Sequence, residues 1–374
     1  MHMQSAPYSP GLEGVIAAET RISFLDTEQE EIVVRGYNLL ELIRTVSYVD
    51  VVGLLLDERL PDAQRRRQLE QELVTAEVPQ RVYEILALLP PTMHAMDRLR
   101  TAVSALAGFD PNANRADPEE ERRKAPRLIG QIAQIVANLT RIAAGQPPIP
   151  FDPQRSFAEN FLHTIVAREV SAAEVRAFDQ ALIAYSEHEL PNSTFAARVV
   201  ASTLADAYGA LTAAVASLKG PLHGGANEAV MYMLLEAGSA DALERLIREK
   251  LARKERIMGF GHRVYMRRMD PRAQLLKETL RELVAAKGSG EELLQMCQRG
   301  EAVMHAEKGL YPNLDYYAAP VYYLLGIPIE LYTPIFFAAR SAGLLAHIVE
   351  QHAQNRLYRP RVVYTGPRGL RVGA

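Results

Sequence analysis

Along most of this chain apolar residues recur every three or four positions, the period of an amphipathic helix rather than the alternation of a strand. The exception lies near the start. ISFLDTEQEEIVVRG, residues 22–36, reads as two short strands around a polar turn. Asn38 then offers a side-chain cap to a helix in LLELIRTV. From there helical patterns follow one another. Leu60-Pro61-Asp62 opens a charged helix through about Ala76, RVYEILALL is stopped by Pro90-Pro91, and MHAMDRLRTAVSALAG ends at Gly108. Residues 109–126 are polar and proline-flanked, which predicts an exposed connection with a helical turn in EEERRK. LIGQIAQIVANLTRIAAG is an apolar helix ending at Gly145, and GQPPIPFDP breaks the chain after it. Ser171 and Glu174 have capping-box spacing and open a helix to about Glu187. NSTFAARVVASTLADAYGALTAAVASLKG predicts one long Ala-rich helix, capped near Asn192 or Ser193 and ended by Gly220. No repeat of solenoid period is visible. The expected fold is large and almost all-α, with a small N-terminal β-ribbon.

One helix stands out by being apolar on nearly every side. In TPIFFAARSAGLLAHIVEQ, Thr333 is the expected cap and Pro334 the first turn. From Ile335 to Val349 its only polar side chains are Arg340, Ser341 and His347. Such a helix is buried. A buried guanidinium needs an anion, and that anion is either a structural Asp or Glu or a substrate. His347 reads as a hydrogen-bonded core histidine.

Composition narrows the class. The chain has 374 residues, 48% hydrophobic and 23% charged, enough for two or three globular domains. A formal net charge of -3 argues against non-specific nucleic-acid binding. No apolar run reaches the ~18 to 20 residues of a membrane span, and the N-terminus has no apolar signal core. With Cys297 as the single cysteine, neither an intramolecular disulfide nor a four-thiolate metal site is possible, and the cytoplasm is the expected compartment.

The candidate chemistry sits at helix entrances. KGPLHGGANEAV, 219–230, sets His223 between glycine-rich turns just before a helix, where backbone can approach a ligand closely. The plain alternative is a solvent-facing histidine in a turn. RIMGFGHRVYMRRMDPRAQLLKETL, 256–280, brackets His262 with Gly259 and Gly261. Asp270 and Pro271 then start a helix whose second residue is Arg272, a seat for a carboxylate or phosphate, against the alternative of one more solvated arginine. GFGHRV lacks the third glycine and the preceding strand of a dinucleotide fingerprint. GLYPNLDYYAAPVYYLLGIP puts Asp315 before an apolar helix. It reads as a helix cap or, among Tyr316, Tyr317, Tyr322 and Tyr323, as a poorly solvated carboxylate of raised basicity. In SEHELPNSTFAAR, His188 and Glu189 precede a Pro-Asn break, so this is no zinc motif, and no other histidine pair has metal-ligand spacing. RLYRPRVVYTGPRG, carrying Arg359 and Arg361, reads alone as a basic surface tail.

Taken in order, SEHELPNSTFAAR, KGPLHGGANEA, IMGFGHRVY…DPRA, LYPNLDYYAAPVYYLLGIP, FFAARSAGLLAHIVEQ and YRPR resemble the citrate synthase family, as does the opening GLEGVIAAETRISFLD…VVRGYNLLEL. The resemblance covers nearly the whole chain. It implies a homodimer of all-α subunits with a large domain (1–219 and 326–374) and a small one (220–325), the site lying between them. It also implies Asp315 as the base at the acyl-CoA α-carbon, His223 as the donor to the thioester oxygen, and His262 as the group polarising the oxaloacetate ketone. His188, Arg272 and Arg340 match residues that hold oxaloacetate carboxylates, and Arg359 one that enters the partner subunit's site; Asn192 is a further possible substrate contact. Acetyl-CoA, or propionyl-CoA in the related 2-methylcitrate synthases, is a substrate, and no cofactor or metal is implied. Arg and Lys side chains near 253–268, with Lys308, are candidate contacts for the CoA phosphates.

The chain departs from the family pattern twice. The segment from His262 to DPRA is one residue longer than usual, and H-E-L-P-N-S stands where H-E-L-N-A-S is commoner, which puts the placement of Arg272 and Asn192 in question. Two readings of other classes stand beside the enzyme: a non-catalytic helical scaffold or metabolite-binding paralogue, and a metal-dependent hydrolase, which lacks ligand spacing.

Overall fold

The computed structural model describes residues 8–26, 28–29, 31–261 and 268–372, so His262 lies outside the described residues. The N-terminal ribbon is an antiparallel sheet of β1 (Ser23–Asp26), β2 (Glu31–Val34) and β3 (Tyr37–Asn38), with Ser23 opposite Val34 and Val33 opposite Asn38. Ile22, Ile32 and Val34 are buried beneath it while Phe24 points outward. Sixteen helices follow among the described residues. They are α1 (Leu39–Thr45), α2 (Tyr48–Asp57), α3 (Ala63–Val74), α4 (Gln80–Leu88), α5 (Ala95–Leu106), α6 (Pro118–Ala143), α7 (Phe157–Val166) and α8 (Ala172–Ser186). The second half has α9 (Asn192–Ala201), α10 (Ala207–Leu218), α11 (Ala226–Ala237), α12 (Ala240–Ala252), α13 (Pro271–Lys287), α14 (Glu291–Lys308), α15 (Leu314–Leu324) and α16 (Tyr332–Ala353).

Local chemistry explains several boundaries. The Asn38 side chain accepts from the N–H groups of Leu40 and Glu41 and starts α1. Ser171 and Glu174 form a complete capping box on α8. Helix α16 runs through the middle of the protein against α2, α6, α8, α9 and α10, and every residue from Tyr332 to Val349 is buried. This is the outcome its all-round apolar surface requires. No helix among the described residues is long and apolar enough to cross a membrane.

Three expectations need correction. The connection predicted over 109–126 ends at Asp117, whose carboxylate caps α6, and the helix runs on through Pro126. Its polar N-terminal half misleads because Glu121 and Lys124 are not solvated: both are buried and paired at 3.4 Å. The long Ala-rich helix is two, and neither Asn192 nor Ser193 caps its start: α9 follows Pro191 with no side-chain cap. Leu204 is in the left-handed region at φ 64, and the Asp206 side chain accepts from Gly209 N–H to start α10 afresh. Thr333 does not cap α16. The helix begins at Tyr332 straight from a 3₁₀ turn, and the Thr333 hydroxyl instead reaches the Gly224 carbonyl and the Glu228 carboxylate. Helices α2, α7, α12 and α14 and strand β3 are additions to the predicted set.

Candidate active site

One face of α16 carries Phe336, Arg340, Gly343 and His347, spaced at three and four residues. Phe336 touches three other side chains of interest. Its ring centroid is 4.9 Å from the Arg340 guanidinium, 4.5 Å from the Tyr185 ring and 6.3 Å, edge-on, from the His223 ring.

His223 is delivered by a tight turn after α10. Its N–H bonds the Gly220 carbonyl at 2.9 Å and Gly224 N–H bonds back to the Leu218 carbonyl at 3.0 Å. A Cβ on Gly224 would overlap that carbonyl, so this glycine is required by the close approach of two backbones. The Ser193 backbone N–H donates to His223 Nε2 at 3.3 Å, with the Ser193 hydroxyl 2.9 Å from the same nitrogen. A nitrogen that accepts from a backbone amide carries no hydrogen, so the proton sits on Nδ1. Burial, with Arg340 close by, depresses the imidazole pKa to about 4. His223 is therefore a neutral donor at physiological pH.

Asp315 is not the cap of α15. Asn313 is, and its side chain accepts from Asp315 N–H at 3.1 Å. The Asp315 carboxylate is left to accept from the Tyr185 hydroxyl at 2.7 Å. Burial pushes its pKa up to about 6, against the pull of Tyr185 and Arg272. The segment before Asp315 also holds both flanks of the stretch containing His262. Gly261 N–H bonds the Tyr311 carbonyl at 2.9 Å, Asn313 Nδ2 bonds the Gly261 carbonyl at 3.1 Å, and Asp270 N–H reaches the Pro312 carbonyl at 3.3 Å.

The two arginines differ. Arg340 is buried, and among the described residues its one hydrogen bond runs from Nε to the Tyr185 carbonyl at 2.6 Å. Burial draws its pKa down to about 10, opposed by the nearby Glu187. Arg272 is buried too, but its guanidinium is forked onto its own helix cap, Nε to Asp270 Oδ1 at 3.0 Å and Nη2 to Oδ2 at 2.7 Å. The seat expected for a foreign carboxylate at this helix start already holds one from the protein. His188 lies in the strip between Tyr185 and Glu189, half-buried. Asn192 is exposed and its Oδ1 accepts from the Ser217 hydroxyl at 2.5 Å, so it is the neighbouring Ser193 that turns to His223. Arg359 is exposed on the extended tail beyond Tyr358, which is itself anchored by its N–H to Ser202 Oγ at 3.2 Å.

A family model described as citrate synthase, C-terminal domain, matches residues 11–361. The chain belongs to the citrate synthase family. It is 55% identical over 366 residues to the citrate synthase of Heyndrickxia coagulans, covering 98% of both chains. It is also 55% identical over 362 residues to a citrate/2-methylcitrate synthase of Bacillus subtilis, covering 96% of this chain and 97% of that one. The citrate synthase of the thermophilic archaeon Thermoplasma acidophilum, solved as a ternary complex with carboxymethyl coenzyme A and oxaloacetate, superposes with a TM-score of 0.92 at 33% identity, over 98% of each chain. The all-α fold with its N-terminal ribbon is thus that of the citrate synthase family.

Three residues outside the sequence candidates for the site bond to members of this cluster: Tyr185 to Asp315, Ser193 to His223 and Glu187 to His347. All lie within SEHELPNSTFAAR or one residue before it. The available signal was the crowding of polar and ring-bearing side chains at the end of α8, a helix otherwise apolar towards its C-terminus.

Proposed function

We propose that the chain condenses acetyl-CoA with oxaloacetate, forming a carbon–carbon bond between the acyl α-carbon and the ketone carbon, and then hydrolyses the thioester to release citrate and CoA. Asp315 takes the α-proton, as a carboxyl of raised pKa suits. His223 donates from Nδ1 to the thioester oxygen as negative charge develops there, a role for which a neutral imidazole held by Ser193 is well placed. A positioned donor of this kind is worth ~3 to 4 kcal/mol. His262 polarises the ketone in this reading. Arg340 is the main carboxylate hold, since most of its N–H groups are uncommitted to the described residues; Arg272 acts as half of a pair with Asp270, and His188 completes the set. Arg359 reaches a partner subunit's site in a homodimer, a role its exposed tail permits. Residues 220–325 form the small domain that closes on the cleft. No cofactor is needed, and the enzyme works in the cytoplasm in the tricarboxylic acid cycle.

The observation that carries this reading is the convergence of His223, Asp315 through Tyr185, and Arg340 on one aromatic ring, Phe336. A second reading, 2-methylcitrate synthesis from propionyl-CoA, is favoured by the Bacillus subtilis relative, whose name covers both products. One methylene discriminates by only ~1 to 3 kcal/mol. CoA release measured with both acyl-CoAs decides. A kcat/KM at least tenfold higher for acetyl-CoA is expected; a tenfold preference for propionyl-CoA overturns the citrate assignment, and release with neither overturns both.

A further inference from the structure

Helix α8 ends at Ser186, and the next three residues are held in an unusual way. Glu187 is extended, at φ -152 and ψ 147, whereas Glu189 is in the left-handed region at φ 62. His188 lies between them. A non-glycine residue at positive φ costs about 1 kcal/mol or more and persists only where its surroundings impose it.

The imposing group comes from more than 160 residues away in sequence. Ser23, on β1, donates its hydroxyl to Glu187 Oε1 at 2.8 Å and accepts from Glu189 N–H at 2.9 Å. One hydroxyl thus ties together the residues on both sides of His188. The serine is itself fixed. It is buried, paired with Val34 across the ribbon, and preceded by Ile22, which is fully buried and whose carbonyl accepts from Arg35 N–H at 2.7 Å.

Glu187 has no exposed surface and lies against the α16 face described above. A Cβ on Gly343 would overlap its Oε2 and the Ser186 carbonyl, so the carboxylate fits because position 343 has no side chain. On one side of that glycine is Arg340. On the other, His347 Nε2 meets Glu187 Oε1 at 3.1 Å. His347 Nδ1 faces Arg198 Nη1 at 2.9 Å and can only accept from a guanidinium, so Nε2 carries the hydrogen and donates to Glu187. Arg198 passes the chain of bonds to Glu350 Oε2 at 2.7 Å, whose other oxygen accepts from Arg21 N–H at 2.8 Å. The chain from Arg21 into β1 therefore grips both ends of this row, through Arg21 N–H and through Ser23.

We propose that Ser23 is a positioning residue for the oxaloacetate side of the site, fixing the backbone that presents His188 and, through Glu187, the charge beside Arg340. The ribbon is then part of the ligand-binding apparatus. This rests on the functional reading above, in which His188 and Arg340 hold the keto diacid.

The test uses the full chain and two substitutions on the same strand. Ser23→Ala removes the clamp; Phe24→Ala alters the exposed opposite face, where the side chain is 57% accessible. Oxaloacetate binding is titrated calorimetrically, and both substrate KM values, kcat and the thermal midpoint are measured. For Ser23→Ala the oxaloacetate Kd and KM are expected to rise roughly tenfold or more, the worth of one hydrogen bond to a charged group. The acyl-CoA KM should stay within twofold, and Phe24→Ala should leave all five readouts near the parent values. An unchanged oxaloacetate Kd in Ser23→Ala overturns the proposal, as does an equal rise in both KM values or the same loss in Phe24→Ala. If the parent protein itself binds no oxaloacetate, the functional reading fails first and takes this inference with it.

Discussion

Two carboxylates flank Tyr185 and Arg340, and they titrate in opposite directions. Asp315, partly exposed, has its pKa pushed up to about 6, whereas Glu187, with no exposed surface, is held below the usual carboxylate range. Burial alone would raise both, and would raise Glu187 more. What differs is the company. Glu187 has His347, Arg340 and Ser23 around it. Among the described residues the one hydrogen-bond donor to the Asp315 carboxylate is a tyrosine hydroxyl, and the Arg272 charge near it is offset by Asp270. The contrast separates two roles. A carboxylate with several partners is a fixed negative charge that organises its neighbours; one with few partners is basic enough to accept a proton.

Removing the basic member should have the larger effect. Asp315→Asn is expected to bind oxaloacetate nearly as the parent does while losing at least ~10² to 10⁴ in kcat, the worth of a positioned base. Turnover within threefold of the parent would take the base assignment away from Asp315. Next comes Gly343→Ala, which would force the fixed member off α16. We expect a clear fall in thermal midpoint and, in the protein that folds, a raised oxaloacetate KM with a smaller change for acyl-CoA. A stable variant with parent-like constants would show that the Glu187 seat is not needed.

The smallest change sharpens the comparison by titration. Asp315 is active as a base only when ionised, so kcat should fall as pH drops through about 6. Tyr185 donates to the ionised form and so favours it. Tyr185→Phe should therefore shift the acid limb of the pH–rate profile upward, by roughly one unit for the loss of one charged hydrogen bond. A limb that stays put would mean another group sets it. The linked stability has the opposite sense to that of an ordinary paired carboxylate. With its folded pKa above the unfolded one, Asp315 contributes stability below the unfolded pKa, near 3.8, and that contribution is lost as pH rises through about 6. Asp315→Asn is accordingly expected to gain thermal stability relative to the parent at pH 8 and to gain less at pH 5.

Local sequence carried the helices whose ends have their own chemistry: Asn38 on α1, the Ser171–Glu174 box on α8, Asp270 and Pro271 on α13. It also carried the burial of α16, because a helix without a polar face has no solvated alternative. The order of the motifs identified the family and the residues to watch. Distant partners were out of its reach. Nothing near Asp315 says that the Tyr185 hydroxyl lies 2.7 Å from its carboxylate. Nothing near Arg340 says that the Glu187 charge lies close enough to hold up its pKa, or that Asp270 already occupies Arg272.

The sequence by itself determined the helical class, most helix starts, and which histidines, arginines and carboxylates are too costly to place idly. Only the tertiary structure decided which of them meet, which carboxylate stays basic, and that a serine on the N-terminal ribbon grips the chain on either side of His188. The physical reason is range. Periodicity and capping act over about one helical turn, whereas desolvation and hydrogen bonding depend on whatever the fold brings alongside.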